Sequence, residues 1–194
     1  MPDYDAATAL IVVDIQNDFA DPDGSLYVPG GEEILPLANE EIRRAVAAGA
    51  LVVYTQDWHP ETTPHFEKDG GIWPVHCVAG TWGARFHPDL AVDGPSIRKG
   101  TSGEDGYSGF SIRDPETGEE NATGLAILLA GRDITRAVVI GLALDYCVKA
   151  TALDAARKGL KTRVLLRATR AVDLEDGDGL KAVEELRSGG VTVT

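Results

Sequence analysis

The sequence predicts an α/β fold, a three-layer α/β/α sandwich built on one parallel sheet, and three observations lead there. Short runs of Val, Ile, Leu and Ala recur along the chain and alternate with stretches of helical periodicity. These runs are apolar without a break, the pattern of strands covered on both faces and therefore parallel. Each helical stretch closes at or just before a glycine, which takes the left-handed conformation that ends a helix.

In chain order, residues 9–13 are the first predicted strand, stopping at Asp14. A helix is predicted over 32–48, with Glu32 and Glu33 in its first turn, where acidic groups complement the positive helix end. Residues 51–55 form the second strand and 96–98 a short third, closed by Lys99. Then come a helix over 122–130, a strand over 138–142 and a helix over 146–158 that opens beside Cys147. A strand over 163–166, a helix over 178–187 and a strand over 191–193 complete the chain.

Two segments break the alternation. Residues 57–95 are rich in Pro, Gly, Trp and His without periodicity, and 100–124 are polar and Gly-rich with a turn-like Asp114-Pro115 step. Irregular segments of this length are usually functional. We read the first as a metal-binding loop and the second as a lid. The alternatives for the second are a plain solvated excursion or a contact between copies of the chain in a homo-oligomer. A length of 194 residues suits a single domain over 1–194.

Composition narrows the function classes. A formal charge of −13 argues against nucleic acid or an acidic membrane as partner, and leaves a small neutral molecule open. With only two cysteines, Cys77 and Cys147, a disulfide framework is not expected. The first apolar run is too short for a signal peptide or a membrane span, so the expected location is cytoplasmic.

Asp57-Trp58-His59 follows the second strand, and His65 and His76 lie further along the same loop. Residues two apart on an extended chain project to one side, so Asp57 and His59 can share an ion, completed by His65 and His76. Three imidazoles and a carboxylate suit one divalent metal, with zinc favoured over iron or manganese. Ordinary loop histidines are the competing account. His87, without a carboxylate at matching spacing, reads as a surface or turn residue.

Asp14, Lys99 and Cys147 stand at or just beyond strand ends, and in an open parallel sheet those ends face a common crevice. A helix N-terminus would lower the thiol pKa from its usual value of roughly 8.5. Asp14 would accept the thiol proton, and Lys99 would keep that carboxylate ionised. A buried structural cysteine beside an ordinary Asp–Lys ion pair remains the alternative. Cys77 adjoins His76, but adjacent residues on an extended segment point apart, so a packing role is expected for it.

Six stretches in order carry a family resemblance: Val13-Asp14-Ile15-Gln16-Asn17-Asp18-Phe19, Asp57-Trp58-His59-Pro60, Trp73-Pro74-Val75-His76-Cys77, Arg98-Lys99-Gly100, Tyr107-Ser108-Gly109-Phe110 and Gly141-Leu142-Ala143-Leu144-Asp145-Tyr146-Cys147-Val148. Nearly the whole chain resembles the nicotinamidase (pyrazinamidase) group of the isochorismatase-like cysteine hydrolases. The resemblance implies a six-stranded parallel sheet in the order 3-2-1-4-5-6. It implies a catalytic triad of Asp14, Lys99 and Cys147, and a metal set of Asp57, His59, His65 and His76. It also implies a cis peptide at Leu142–Ala143, an oxyanion hole from the amides of Ala143 and Cys147, and an aromatic ring pocket of Phe19, Trp73 and Tyr107. The reaction implied is hydrolysis of nicotinamide, and of pyrazinamide, to the acid and ammonia through a thioester, as in NAD salvage. The nearest rival is a related amidohydrolase acting on a carbamoyl or ureido compound. The stretch from Lys99 to Tyr107 is longer than usual for the family, and Leu144 replaces a small or polar residue.

Overall fold

All six predicted strands are present in the computed structural model, which describes residues 4–104, 106–114 and 117–194. They are β1 (Thr8–Val13), β2 (Leu51–Asp57), β3 (Ser96–Lys99), β6 (Arg136–Leu142), β7 (Lys161–Arg170) and β8 (Thr192–Val193), with β4 (Ser111–Arg113) and β5 (Glu120–Ala122) forming a separate hairpin. The six pair in parallel throughout, in the order β3-β2-β1-β6-β7-β8, which is 3-2-1-4-5-6 when the sheet strands alone are numbered.

The unbroken apolar runs are explained by two cores, one on each sheet face. Leu10 and Val12 of β1 point into a core with Leu35, Ala38, Ile42 and Ala45 of α2 (Leu35–Ala47), the helix that follows the single turn α1 (Asn17–Ala20). Ala9, Ile11 and Val13 point the other way. Their core contains Leu125 and Leu129 of α3 (Leu125–Ala130), Ala152 and Ala155 of α4 (Lys149–Arg157), and Ala182, Val183 and Leu186 of α5 (Asp178–Ser188). The spacing of three and four on each helix is that of an amphipathic stripe. Period-two alternation of strand side chains does the rest.

The carboxyl ends of β1, β2, β3 and β6 lie on one edge of the sheet. Asp57 and Lys99 are register partners at the ends of β2 and β3, and Val13, Thr55 and Gly141 align across β2, β1 and β6. Since β1 has its sequence neighbour β2 on one side and β6 on the other, a crevice opens beyond their carboxyl ends. At Gly141, φ is 116°, and a Cβ would stand 2.0 Å from the Val13 carbonyl oxygen, so only glycine lets β6 approach β1 there. The next peptide bond but one, Leu142–Ala143, is cis, as expected.

Several local expectations are corrected. The predicted helix over 32–48 opens as a 3-10 turn (Glu32–Ile34) before α2, and the predicted helix over 122–130 begins only at Leu125, because Ala122 belongs to β5. Residues 100–124, expected to be irregular, contain the β4–β5 ribbon; Pro115 of the expected turn lies outside the described residues. Asp57 is the last residue of β2 rather than the first of a loop. His87 is buried rather than on the surface, with Nε2 3.7 Å from the Asp21 carboxylate. Among the described residues, no helix is long and apolar enough to cross a membrane.

Candidate active site

Lys99 is the hub of the crevice. Its ammonium is fully buried, 2.8 Å from Asp14 Oδ2 and 3.6 Å from Cys147 Sγ, and it also contacts Asp57 Oδ1. The register of β3 on β2 sets Asp57 beside Lys99, so the pair is built into the sheet. Asp14 turns off β1 with φ at 48°, a left-handed conformation that costs a non-glycine residue roughly 1–3 kcal/mol. Two bonds from β2 hold it: its N–H to the Thr55 carbonyl at 3.3 Å, and the Thr55 hydroxyl to its Oδ1 at 2.7 Å.

Burial and charge set the protonation states. Burial raises the Asp14 pKa to about 6, with the Asp57 carboxylate adding and the Lys99 charge opposing. Burial alone would lower Lys99, but the two carboxylates hold it well above its ordinary value. For Asp57 burial acts upward, and Lys99 and His59 outweigh it, keeping the group below the usual carboxylate range. Burial pushes the Cys147 thiol well up. That corrects the expected helix-end activation: Cys147 sits inside a π-helical turn (Leu144–Val148) ahead of α4. It rests as a thiol and needs an acceptor, and Asp14 is the group poised for that.

Beside this triad, His59, His65 and His76 form a buried cluster with ligand atoms all within 4.8 Å of one another. Neither ring nitrogen of His59 has a hydrogen-bond partner, an expensive state for a buried imidazole unless an ion is bound. His76 Nδ1 lies 2.7 Å from the Pro74 carbonyl, which orients the ring and leaves Nε2 for a metal. Burial lowers the His76 pKa to about 4, so the ring is neutral near pH 7, as a ligand must be. Asp57 Oδ2 is 3.8 Å from His59 Nε2, so this carboxylate bridges the Lys99 hub and the histidines. The residues fit a divalent cation.

Triad and cluster open onto a cavity lined by Phe19, Trp73, Tyr107, Tyr146 and Val172 together with Ala143 and Cys147. The Trp73 indole N–H donates to the Tyr107 hydroxyl at 2.9 Å, and Trp73 meets Tyr146 edge-on at 4.8 Å. Aromatic walls of this kind suit a planar ring.

The sequence profile of the Isochorismatase domain matches residues 8–194. The chain belongs to the isochorismatase family. It is 39% identical to a nicotinamidase/pyrazinamidase of Mycobacterium tuberculosis, over 94% of this chain and 96% of that protein. With a nicotinamidase of Acinetobacter baylyi the identity is 37%, over 94% and 90%. A pyrazinamidase of Pyrococcus horikoshii, solved in complex with zinc, is similar at a TM-score of 0.85 and 42% identity, covering 97% of this chain and 98% of that one. PnC1 from L. infantum, in complex with nicotinate, is similar at 0.88 and 38%, covering 100% and 95%.

In this isochorismatase-family chain the structure brings every sequence-predicted site residue to the one crevice, and adds others. Tyr146, Leu26, Val28 and Val172 line the cavity and went unread. Tyr146 had a local signal, as an aromatic beside Cys147; the other three are ordinary apolar residues. Gln16 is fully buried, and its Nε2 donates to the Asp57 carbonyl at 2.8 Å while its Oε1 accepts the Asp57 N–H at 2.8 Å. A glutamine two residues after Asp14 carries no sign of that clamp. Cys77 packs in the core, as expected, its N–H donating to Asp18 Oδ2 at 2.7 Å.

Proposed function

We propose that this protein hydrolyses nicotinamide to nicotinate and ammonia, and accepts pyrazinamide, through a thioester on Cys147. The observation that carries the reading is Cys147 Sγ at 3.6 Å from the Lys99 ammonium, itself 2.8 Å from Asp14, in the lining of a cavity with aromatic walls. The relatives named nicotinamidase, similar over nearly their whole length, support an amide hydrolase of this kind.

Trp73, Phe19 and Tyr107 hold the ring and place the carboxamide over the sulfur, an orientation effect that replaces a bimolecular encounter. Asp14 takes the thiol proton as sulfur attacks the amide carbon, and Lys99 stabilises the sulfur anion during transfer. The backbone N–H groups of Ala143 and Cys147 receive the oxyanion, a role worth about 3–4 kcal/mol for one donor. Asp14 returns the proton to nitrogen, the C–N bond breaks and ammonia departs. A water then gives its proton to Asp14 and its oxygen to the thioester carbon, and the C–S bond breaks to release nicotinate and the thiol. A divalent metal held by His59, His65, His76 and Asp57 would supply a Lewis-acid anchor for the ring nitrogen. Zinc is the ion we assign, supported by the zinc complex of the Pyrococcus horikoshii relative.

Ammonia release from nicotinamide, pyrazinamide and an N-carbamoyl amino acid tests the function directly. Turnover of the two aromatic amides alone is expected; turnover of only the carbamoyl compound would replace the reading with its rival. Because Asp14 must be ionised to act, and burial raises its pKa to about 6, kcat/KM is expected to rise as pH increases from 5 to 7. A flat profile across that interval would remove Asp14 as base. Stripping the metal with a chelator is expected to raise KM at least tenfold, by about 1.4 kcal/mol or more of lost capture. Unchanged kinetics in protein shown to be metal-free by elemental analysis would take the ion out of the reaction.

A further inference from the structure

Asp145 lies midway between the two proposed oxyanion donors, two residues after Ala143 and two before Cys147. It is buried, and among the described residues no cation forms an ion pair with it. A buried carboxylate in that position is costly unless strong donors satisfy it. Here two consecutive backbone amides do so: the Val172 N–H donates to Oδ1 at 3.0 Å and the Asp173 N–H to Oδ2 at 2.9 Å. Asp173 has φ at 51°, in the left-handed region, as suits a turn presenting successive amides to one anion. Its own carboxylate accepts the Gly179 N–H at 2.7 Å, which ties the turn to α5.

Val172, two residues past the end of β7, is a wall of the ring cavity. The nucleophile turn and this wall come from separate crossovers, and the Asp145 carboxylate is the hydrogen-bonded link between them. We infer that Asp145 is a positioning residue that sets the width of the ring slot by holding Val172 at a fixed distance from Cys147. This rests on the nicotinamide reading for its substrate, while the clamp itself is a matter of geometry. Asparagine is not an equivalent: its amide keeps one acceptor and turns an NH2 group toward a backbone N–H.

The test compares Asp145→Asn, Val172→Ala and their combination in the metal-loaded enzyme. Losing a charge-assisted bond at the wall is expected to raise KM for nicotinamide about tenfold in Asp145→Asn, with kcat within threefold. Val172→Ala is expected to raise KM in the same direction, and the double variant to be no worse than Asp145→Asn, since both act on one wall. A wild-type KM in folded Asp145→Asn, or fully additive effects, would overturn the inference, even if the melting temperature fell. If Asp145→Asn does not fold, Val172→Ala and Val172→Leu decide: the first weakens binding and the second excludes the ring, and unchanged KM in both refutes the wall. Amide hydrogen exchange at residues 172–173 and alkylation of Cys147 by iodoacetamide are read alongside. Both should quicken in Asp145→Asn whatever the substrate, so a failure of the nicotinamide reading shows as an inactive wild type with these responses intact.

Discussion

Cys147→Ala is expected to lower nicotinamide turnover by about 10⁴-fold or more, with the fold retained. Removing the sulfur abolishes the only group that can form the thioester, and what remains is water attack in a preorganised slot. The structural cost is small, since Cys147 lines an existing cavity and loss of its sulfur removes one atom from the packing. Because burial keeps the thiol protonated, its removal also takes no charge away from the Lys99–Asp14–Asp57 cluster. Ammonia release measures the first effect, and thermal unfolding the second. Mass spectrometry after rapid acid quench should find an acyl adduct on the wild type and none on the variant. Residual turnover within a hundredfold of wild type would defeat the covalent scheme.

Lys99→Met is expected to be both inactive and strongly destabilised, by about 3–5 kcal/mol. The substitution keeps an unbranched side chain one atom shorter but strands two buried carboxylates, Asp14 and Asp57, whose shared counter-charge is this ammonium. For a chain of 194 residues that corresponds to a fall in melting temperature of roughly 6–20 °C. The pH dependence has a definite sign. Without the cation both carboxyls have folded-state pKa values above their unfolded ones, so the folded state binds more protons and stability is lost as pH rises. Metal-free Lys99→Met should therefore melt higher at pH 6 than at pH 8, recovering part of the deficit. Equal melting temperatures for variant and wild type at pH 8 would mean that the cluster does not depend on its cation.

Much of this arrangement was legible in the chain. Leu10-Ile11-Val12-Val13 is apolar at every position, and only a strand sandwiched between two cores needs that, so layer order and parallel pairing followed. Strand ends then located Asp14 and Lys99 on one edge, and the crowding of three of the four histidines into 57–76 located the cluster. Less legible were features set by backbone geometry. Nothing about Ala122 separates a helix start from a ribbon edge; pairing with Ser111 decides it. Cys147 reads as the opening of a helix, whereas the turn that holds it is π-helical and its thiol is governed by burial rather than by a helix end. Asp57 reads as a metal ligand by spacing, yet it also belongs to the Lys99 hub through a β2–β3 register that no local pattern encodes.

Periodicity, glycine stops and the chemistry of side-chain types thus specified the layers, the strand-end positions of Asp14 and Lys99 with Cys147 just beyond one, and the imidazole set, because each is written in a repeating pattern or in its place beside one. Protonation states, the width of the ring slot and the joining of Val172 to the nucleophile turn through Asp145 were settled by folding alone. Those properties come from burial and from hydrogen bonds between segments far apart in the chain, and neither exists until the sheet has closed.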